Sequence, residues 1–208
     1  MSHFSALVFT EMDIESKLER FHCDCEYNRE FEEAMTIKKA KREYKEFMLN
    51  TDNFRNDLQK LLQYKKGGYL EFHKEENNYN IEDGKVGYLY NPDGIYDWYE
   101  VGGRWRGCLP IKTDKVSKEE IESFRYGIGG EKYEENKVDF APIQLIDVKT
   151  LLKESGNFWN IINIYDEYLD LNTNKKERNK LIKESFKSAM ELYKEGEQVY
   201  VYVVDFHS

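Results

Sequence analysis

The chain has 208 residues and a formal net charge of −9, so it is long enough for one domain with a sizeable core and its charge disfavours general attraction to nucleic-acid phosphates. With 16 Tyr, 12 Phe and 3 Trp it can bury enough apolar area to fold, which excludes global disorder. Three cysteines, Cys23, Cys25 and Cys108, argue against a disulfide framework and favour a reducing compartment. The apolar run Phe4–Phe9 is too short for a signal peptide, and no run is long enough to span a bilayer. We therefore expect a cytoplasmic protein without a membrane partner.

The elements of the first half follow from apolar spacing and helix caps. Phe4–Thr10 predicts a buried strand, and Asp13 predicts the cap of a helix that reaches Phe21. Helical spacing then predicts a long helical region from about Glu30 to Tyr64, broken at Asn50–Asn53, with Gly67-Gly68 as its end. After this region we expect a strand at Tyr69–His73, a polar loop at Glu75–Asp83, a strand at Gly87–Tyr90 and a turn at Asn91–Gly94.

The second half alternates short strands with helices. We expect strands at Tyr96–Val101 and Arg104–Leu109, a helix at Lys118–Phe124 capped by Ser117, and a strand at Val138–Val148 with an edge position or bulge at Pro142. Phe158–Leu169 is aromatic-rich, and its spacing does not decide its type. Lys175–Lys194 predicts an amphipathic helix that ends at Gly196, and Gln198–Phe206 predicts a final apolar strand.

These elements predict an α+β fold of the α/β type: a single mixed β-sheet with packed helices and a long helical insertion. The first and last strands are the most apolar, so we expect them at the centre of the sheet, side by side. We expect one domain over residues 1–208, with residues 27–66 as a helical insertion or interaction arm.

The densest candidate site is the segment from Tyr96 to Arg106. Aromatic rings can stack on a nucleobase, arginines can grip phosphate through paired hydrogen bonds, and glycines allow a close backbone approach. The candidate ligand-binding residues here are Tyr96, Trp98, Tyr99, Gly102, Gly103, Arg104, Trp105 and Arg106. The same pattern also fits a hairpin whose tryptophans only fill the core, with Arg104 paired to Asp97 or Glu100.

The motifs of this chain resemble those of a family of uncharacterised phage and bacterial proteins. The matching residues are Met1-Ser2-His3-Phe4, Asn91-Pro92, Tyr96-Asp97-Trp98-Tyr99, Gly102-Gly103-Arg104-Trp105 and Val204-Asp205-Phe206-His207. The match touches both ends and the middle, and leaves most of the helical sequence uncovered. The chain departs from the family pattern twice: Tyr96 replaces a tryptophan, and Phe206 replaces a cysteine, which argues against thiol chemistry there.

The resemblance implies a phage or prophage origin, in which small proteins often counter host defence. By analogy we expect a protein that sequesters a nucleotide-derived immune signal, such as a cyclic ADP-ribose-like molecule or a cyclic oligonucleotide, in the cytoplasm of the infected host. A homodimer is expected because capture pockets in small proteins often form between protomers. We expect no bulk nucleic-acid partner and no cofactor.

The two ends of the chain form a second candidate constellation. If the first and last strands are antiparallel neighbours, then His3, Asp205 and His207 meet, and Asp and His two apart on a strand share a face. Such a group suits ligand binding, an acid/base pair or a metal pair, and the alternative is that the chain ends fray into solvent. The first hypothesis is capture without turnover, so we expect a binding protein rather than an enzyme. The others are a phosphodiesterase-like hydrolase using these three residues and a protein–protein inhibitor using Glu30–Tyr64.

Two further motifs give weaker support for a functional site. His22-Cys23-Asp24-Cys25 matches half of a zinc site, but no second cysteine pair completes it, so we predict no metal. Gly127-Ile128-Gly129-Gly130 lacks the strand–helix context of a dinucleotide-binding loop.

Overall fold

The computed structural model describes residues 2–50, 58–126 and 133–208. The chain divides into two compact units: the sheet unit, Met1–His22 with Ile95–Ser208, and the insert unit, Cys23–Gly94. In the described residues the strands are β1 (His3–Thr10), β2 (Glu30–Thr36), β3 (Asn80–Glu82), β4 (Lys85–Tyr90), β5 (Trp98–Val101), β6 (Leu109–Pro110), β7 (Lys137–Val138), β8 (Phe140–Pro142), β9 (Asn160–Ile162), β10 (Tyr168–Asp170) and β11 (Tyr200–His207). The α-helices are α1 (Ile14–Leu18), α2 (Ile37–Leu49), α3 (Leu58–Asn77), α4 (Lys118–Ser123), α5 (Val148–Lys153) and α6 (Lys175–Glu195).

The main sheet lies in the sheet unit and has the strand order β10-β9-β1-β11-β5, with β8 also paired to β11. β1 and β11 are antiparallel along their whole length, from the pair His3–His207 to the pair Thr10–Tyr200. β1 pairs with β9 in parallel, so the sheet is mixed. The predicted α+β class and the central, adjacent first and last strands are therefore confirmed. Two small sheets, β2-β4-β3 and β6-β7, accompany the main sheet.

The two central strands bury both faces of the sheet because nearly every side chain in their middle is apolar. One face, here called the α6 face, carries Leu7 and Val203 and packs against Ile182, Phe186 and Ala189 of α6. Complete burial of a side chain of this size contributes about 1.5–3 kcal/mol. Asn174 caps the start of α6, and Gly196 ends it at φ 109°. The predicted helix and its stop are confirmed.

The opposite face, the α1 face, carries the alternate residues of the same strands. Val8 and Phe206 pack there with Ile14 and Leu18 of α1. Asp13 caps α1 by accepting a hydrogen bond from the Ser16 N–H at 2.8 Å. The capped helix predicted after the first strand is therefore confirmed; its last turn, Glu19–Phe21, is a 3₁₀ helix.

Two strand predictions in the sheet unit are wrong. Residues 104–109 do not form one strand, because Gly102 and Gly103 adopt positive φ and start a 3₁₀ turn, Gly103–Trp105, before the short β6. Residues 138–148 are divided among β7, β8, a 3₁₀ turn and the start of α5, and Asp147 caps that helix. Pro142 is the last residue of β8, which pairs with β11. This position suits a residue that lacks an N–H. The predicted α4 and its Ser117 cap are confirmed by a complete capping box.

The insert unit contains a small sheet as well as helices, so the long helical region predicted from Glu30 is wrong over its first 7 residues. Glu30–Thr36 forms β2, which pairs with β4, and Thr36 then caps α2. Phe31 and Met35 fit a helical spacing, but tertiary pairing overrides it. The predicted break at residues 51–53 and the start of the following helix lie outside the described residues.

Around the next glycines the predictions also fail. α3 continues past Gly67 with a kink at Gly68, whose φ is 68°, so residues 69–73 are helical rather than a strand. Its end at Asn77 and the strand β3 replace most of the predicted polar loop. The strand β4 is confirmed, and so is the turn after it, where the Gly94 N–H donates to the Asn91 carbonyl at 2.9 Å.

The core of the insert unit is a small aromatic cluster centred on Tyr64 and Phe72, with Tyr44 and Phe47 packed against it. Across the described ranges, every helix is too short or too polar to cross a lipid bilayer.

Candidate functional site

The site develops where the α6 face of the sheet changes from apolar to polar. Along β1 this face reads His3, Ser5, Leu7, and along β11 it reads Val203, Asp205, His207. Since β1 and β11 are antiparallel, both polar ends fall at the same end of the sheet. We call the group His3, Asp205 and His207 the polar cluster.

The polar cluster is compact and mostly buried. His3 Nδ1 lies 3.1 Å from Asp205 Oδ1 and 3.3 Å from Asp205 Oδ2. His207 Nε2 lies 3.7 Å from Asp205 Oδ2, and the two imidazole centroids are 3.8 Å apart with an edge-on geometry. The prediction that antiparallel end strands bring these three residues together is confirmed. Ser2 and Ser208 continue the pairing of β1 and β11 through backbone hydrogen bonds, so this end of the strand pair is ordered rather than frayed.

His207 has an unusual environment for a polar side chain. It is 3% exposed, and neither of its ring nitrogens has a hydrogen-bond partner in the described part of the chain. Trp98, its neighbour on β5, stacks on it with centroids 3.2 Å apart and an interplanar angle of 23°. Burial lowers the pKa of His207; Asp205 opposes the shift, and His3 and Arg104 reinforce it. A lowered pKa favours the neutral ring, which can offer a ligand one N–H donor and one acceptor nitrogen.

Gly102 and Gly103 let the backbone pass close to two aspartates, one of which is Asp205. Gly103 has φ 48°, and a Cβ atom added there would lie 2.3 Å from Cβ of Asp205. This close approach lets the Arg104 N–H donate to Asp205 Oδ2 at 3.1 Å. Gly102, at φ 77°, also lies close to a second aspartate, because its added Cβ would lie 2.8 Å from Asp139 Oδ1. Glycine is required at both positions.

Asp139 is a residue that sequence reasoning missed. It is fully buried and accepts hydrogen bonds from the Gly107 N–H at 2.7 Å, the Tyr126 N–H at 2.8 Å and the Tyr133 hydroxyl at 2.5 Å. Its carboxylate thereby fixes the far end of the loop that starts at Gly102. Two of the three donors are backbone N–H groups and the third is a hydroxyl 6 residues away, so no familiar motif marks this residue.

The aromatic residues of the predicted segment do not share one surface. Trp98 lies on the α6 face with His207 and is 46% exposed. Tyr96 is buried on the α1 face, where it stacks on Phe206 and donates its hydroxyl to the Leu18 carbonyl at 2.9 Å. Tyr99 is partly buried in the same cluster, and burial raises its pKa to about 12.

The remaining members of the segment divide between core and surface. Trp105 packs against the core on the α6 face. Arg106 forms an ion pair with Glu100, with Nη2 3.0 Å from Oε1. Arg104 is exposed, and its guanidinium forms no hydrogen bond or ion pair with the described residues. It is close enough to His207 to lower the pKa of that ring.

An open cavity of about 340 Å³ begins at His3 and runs over the edge strand β10 and its neighbour β9. Its lining includes His3, Trp159, Asn160, Tyr168 and Asp170. Trp159 and Tyr168 are exposed aromatic residues, and a cavity of this size suits a small ligand. Trp159, Asn160 and Tyr168 fall in the aromatic-rich segment whose type the sequence left undecided; its aromatic content was the available signal.

The motif at residues 22–25 takes no part in this site. Among the described residues, the polar cluster is the one group of His, Cys, Asp and Glu side chains close enough to hold a metal ion, and it does not include residues 22–25. Cys25 is a buried free thiol, and Cys23 is partly exposed. The glycine run at residues 127–130 lies outside the described residues.

The fold and the site define an α+β protein whose central sheet ends in a buried His–Asp–His cluster beneath an exposed tryptophan. Comparison with protein-family models, curated proteins and solved structures found no match for the chain. A function for this site therefore has to be argued from its own chemistry.

Proposed function

We propose that this protein captures a small, phosphate-bearing, nucleotide-derived ligand at the polar end of its central sheet and holds it without turnover. The observation that carries the proposal is the presence of two recognition groups at the polar cluster. One is the exposed ring of Trp98, which stacks on His207. The other is the guanidinium of Arg104, a residue bonded to Asp205 through its N–H, and this guanidinium is unpaired within the described part of the chain. An aromatic ring supplies a stacking surface for a base, and a free guanidinium supplies paired donors for phosphate.

The charge distribution supports a small anion over a polymer. The chain carries a net charge of −9, which repels an extended phosphate backbone. One exposed arginine beside a neutral imidazole can still attract a single phosphate group, because the interaction is local. The cavity beside His3 offers further room, with Trp159 and Tyr168 as additional stacking surfaces and Asn160 for polar contacts.

The biological role we attach to this capture is phage counter-defence, in which the protein removes a cyclic ADP-ribose-like or cyclic-oligonucleotide immune signal. The sequence resemblance at both chain ends and at residues 96–105 supports this role. We include a homodimer in the proposal, and sedimentation analysis at several concentrations tests it.

Calorimetric titration with cyclic ADP-ribose isomers and cyclic dinucleotides tests the capture. Loss of a stacked ring or of a phosphate-binding guanidinium costs about 1–3 kcal/mol, so we expect Trp98→Ala and Arg104→Ala each to weaken binding about tenfold or more. Arg106→Ala is the matched control, because the Arg106 side chain is held by Glu100, and it should bind as the wild type does. Wild-type affinity in both test variants, or no binding across the whole panel, would contradict the proposal.

A second candidate function is phosphodiesterase-like hydrolysis, and one observation favours it. Asp205 holds the imidazole of His3 through Nδ1, which is how a carboxylate orients a general base. Mass spectrometry of the ligand released from the denatured complex separates the two functions. Intact ligand supports capture, whereas cleaved product supports hydrolysis. An unchanged turnover rate in His207→Ala would remove the catalytic assignment.

A further inference from the structure

The polar cluster has the donor set of a transition-metal site. Two imidazoles and one carboxylate each offer one ligand atom, and these atoms all lie within 4.8 Å of one another. Two histidines with one carboxylate bind Zn²⁺ in hydrolytic enzymes and Fe²⁺ in oxygenases. Mg²⁺ and Ca²⁺ prefer sites built from oxygen, so the two nitrogens point to a first-row transition metal.

The measured separations match the spacing of ligands around one ion. Ligands that bind a tetrahedral zinc ion at about 2.0–2.1 Å are themselves about 3.3 Å apart. His3 Nδ1 is 3.1 Å from one Asp205 oxygen, and His207 Nε2 is 3.7 Å from the other. Small side-chain rotations would therefore bring three ligand atoms onto a common centre.

An independent observation points to a missing partner at the same place. His207 is almost fully buried, yet both of its ring nitrogens lack a hydrogen-bond partner in the described residues. A buried polar group without a partner costs about 1–3 kcal/mol, and such groups are rare in native proteins unless something unseen binds them. A metal ion at Nε2 would supply the partner.

The surroundings of the cluster hold its ligands in place. The Arg104 N–H fixes one oxygen of Asp205, and the Trp98 ring covers one face of His207. Gly103 leaves the space above Asp205 free of a side chain. Groups of this kind, which orient the residues that bind a metal, raise metal affinity about 10–100-fold.

We propose that His3, Asp205 and His207 bind one divalent transition-metal ion, with Zn²⁺ the best match to the donor set and spacing. Three protein ligands leave at least one coordination position open, where water or an oxygen of a phosphate group can bind. The metal site stands on its own geometry and does not require that a nucleotide bind.

The test is calorimetric titration of Zn²⁺ into the chelator-treated, full-length protein. We expect one equivalent to bind, and we expect His3→Ala and His207→Ala each to weaken binding about 100-fold or more. His22→Ala is the matched histidine control and Cys23→Ser is the thiol control, and both should bind as the wild type does. Co²⁺ titration gives a second readout, because ligation by nitrogen and oxygen produces visible absorption bands that both test variants should lose.

His207 is buried, so its replacement can disturb folding. His3 is more exposed, at the first position of β1, and provides the variant that retains the fold; circular dichroism checks both. Absence of stoichiometric Zn²⁺ binding by the wild type would overturn the proposal. So would a loss of binding that follows Cys23→Ser instead of the histidine variants. Because no nucleotide is present, the result is independent of the capture experiment.

Discussion

The loop Gly102–Gly107 rests on two buried aspartates that differ in how their carboxylates are used. Asp139, beneath one side, accepts three hydrogen bonds from donors that the fold fixes in place. Asp205, beneath the other side, accepts one backbone N–H and otherwise faces two histidines. The first carboxylate is satisfied by the protein. The second can still accept contacts from a ligand. Asp139 is therefore a structural residue, whereas Asp205 belongs to the candidate site.

The largest expected loss of stability comes from replacing Asp139, the aspartate that holds the loop. Asp139→Asn places an amide NH₂ against groups that are themselves donors, and each unsatisfied buried group costs about 1–3 kcal/mol, so we expect a loss of about 3 kcal/mol in the free energy of unfolding. Asp205→Asn should lose about 1 kcal/mol or less, because an amide can accept from the Arg104 N–H and donate to an imidazole nitrogen. Urea denaturation measures both, and equal losses would erase the distinction between the two aspartates.

A smaller effect should distinguish two tryptophans, Trp98 before the loop and Trp105 within it. Trp105 packs against the core, so Trp105→Ala should lower the free energy of unfolding by about 2 kcal/mol. Trp98 is nearly half exposed, so Trp98→Ala should lower it by less than about 1 kcal/mol. If thermal and urea unfolding rank the two in the opposite order, then Trp98 is the structural residue and the assignment of its ring to a ligand fails.

Gly103 tests whether the approach of the loop to Asp205 matters for the site. Gly103→Ala should lose about 1.5 kcal/mol of stability and weaken Zn²⁺ binding, because the new Cβ must push Asp205 aside. Gly196→Ala is the matched control, since Gly196 also has positive φ but nothing lies within 4 Å of its added Cβ. It should lose about 1 kcal/mol of stability and keep wild-type Zn²⁺ affinity. Equal Zn²⁺ affinities in the two variants would detach the loop from the site.

The smallest expected effect concerns the hydrogen bond from the Tyr133 hydroxyl to Asp139. Tyr133→Phe removes one hydroxyl donor and should cost about 1 kcal/mol in urea unfolding. Tyr126→Phe should cost nothing measurable, because Tyr126 donates to Asp139 through its backbone N–H. A loss in Tyr126→Phe as large as that in Tyr133→Phe would show that the hydroxyl bond to Asp139 is not what stabilises this side of the loop.

The sequence predicts the polar cluster well because two simple facts are enough to locate it. Strongly apolar end strands belong at the centre of a sheet, and antiparallel pairing then brings His3 next to His207. The face assignment of β5 follows from the same alternation, which places Trp98 with His207 and Tyr99 with Phe206.

Other features could not be predicted because they depend on contacts remote in sequence. The donors to Asp139 lie at residues 107, 126 and 133, so nothing local identifies it. Residues 30–36 have helical spacing, yet they pair with β4. The fate of Tyr96, buried on the α1 face by contacts with Phe206 and Leu18, is likewise set by tertiary packing.

The most direct test of the central claim uses the four histidines of the chain as reporters. Side-chain ¹H–¹⁵N NMR spectra are recorded before and after addition of cyclic ADP-ribose isomers and cyclic dinucleotides. We predict that the imidazole signals of His3 and His207 shift with the added ligand, whereas those of His22 and His73 stay in place. Signals of His3 and His207 that remain unmoved across the whole panel would contradict capture at the polar end of the sheet.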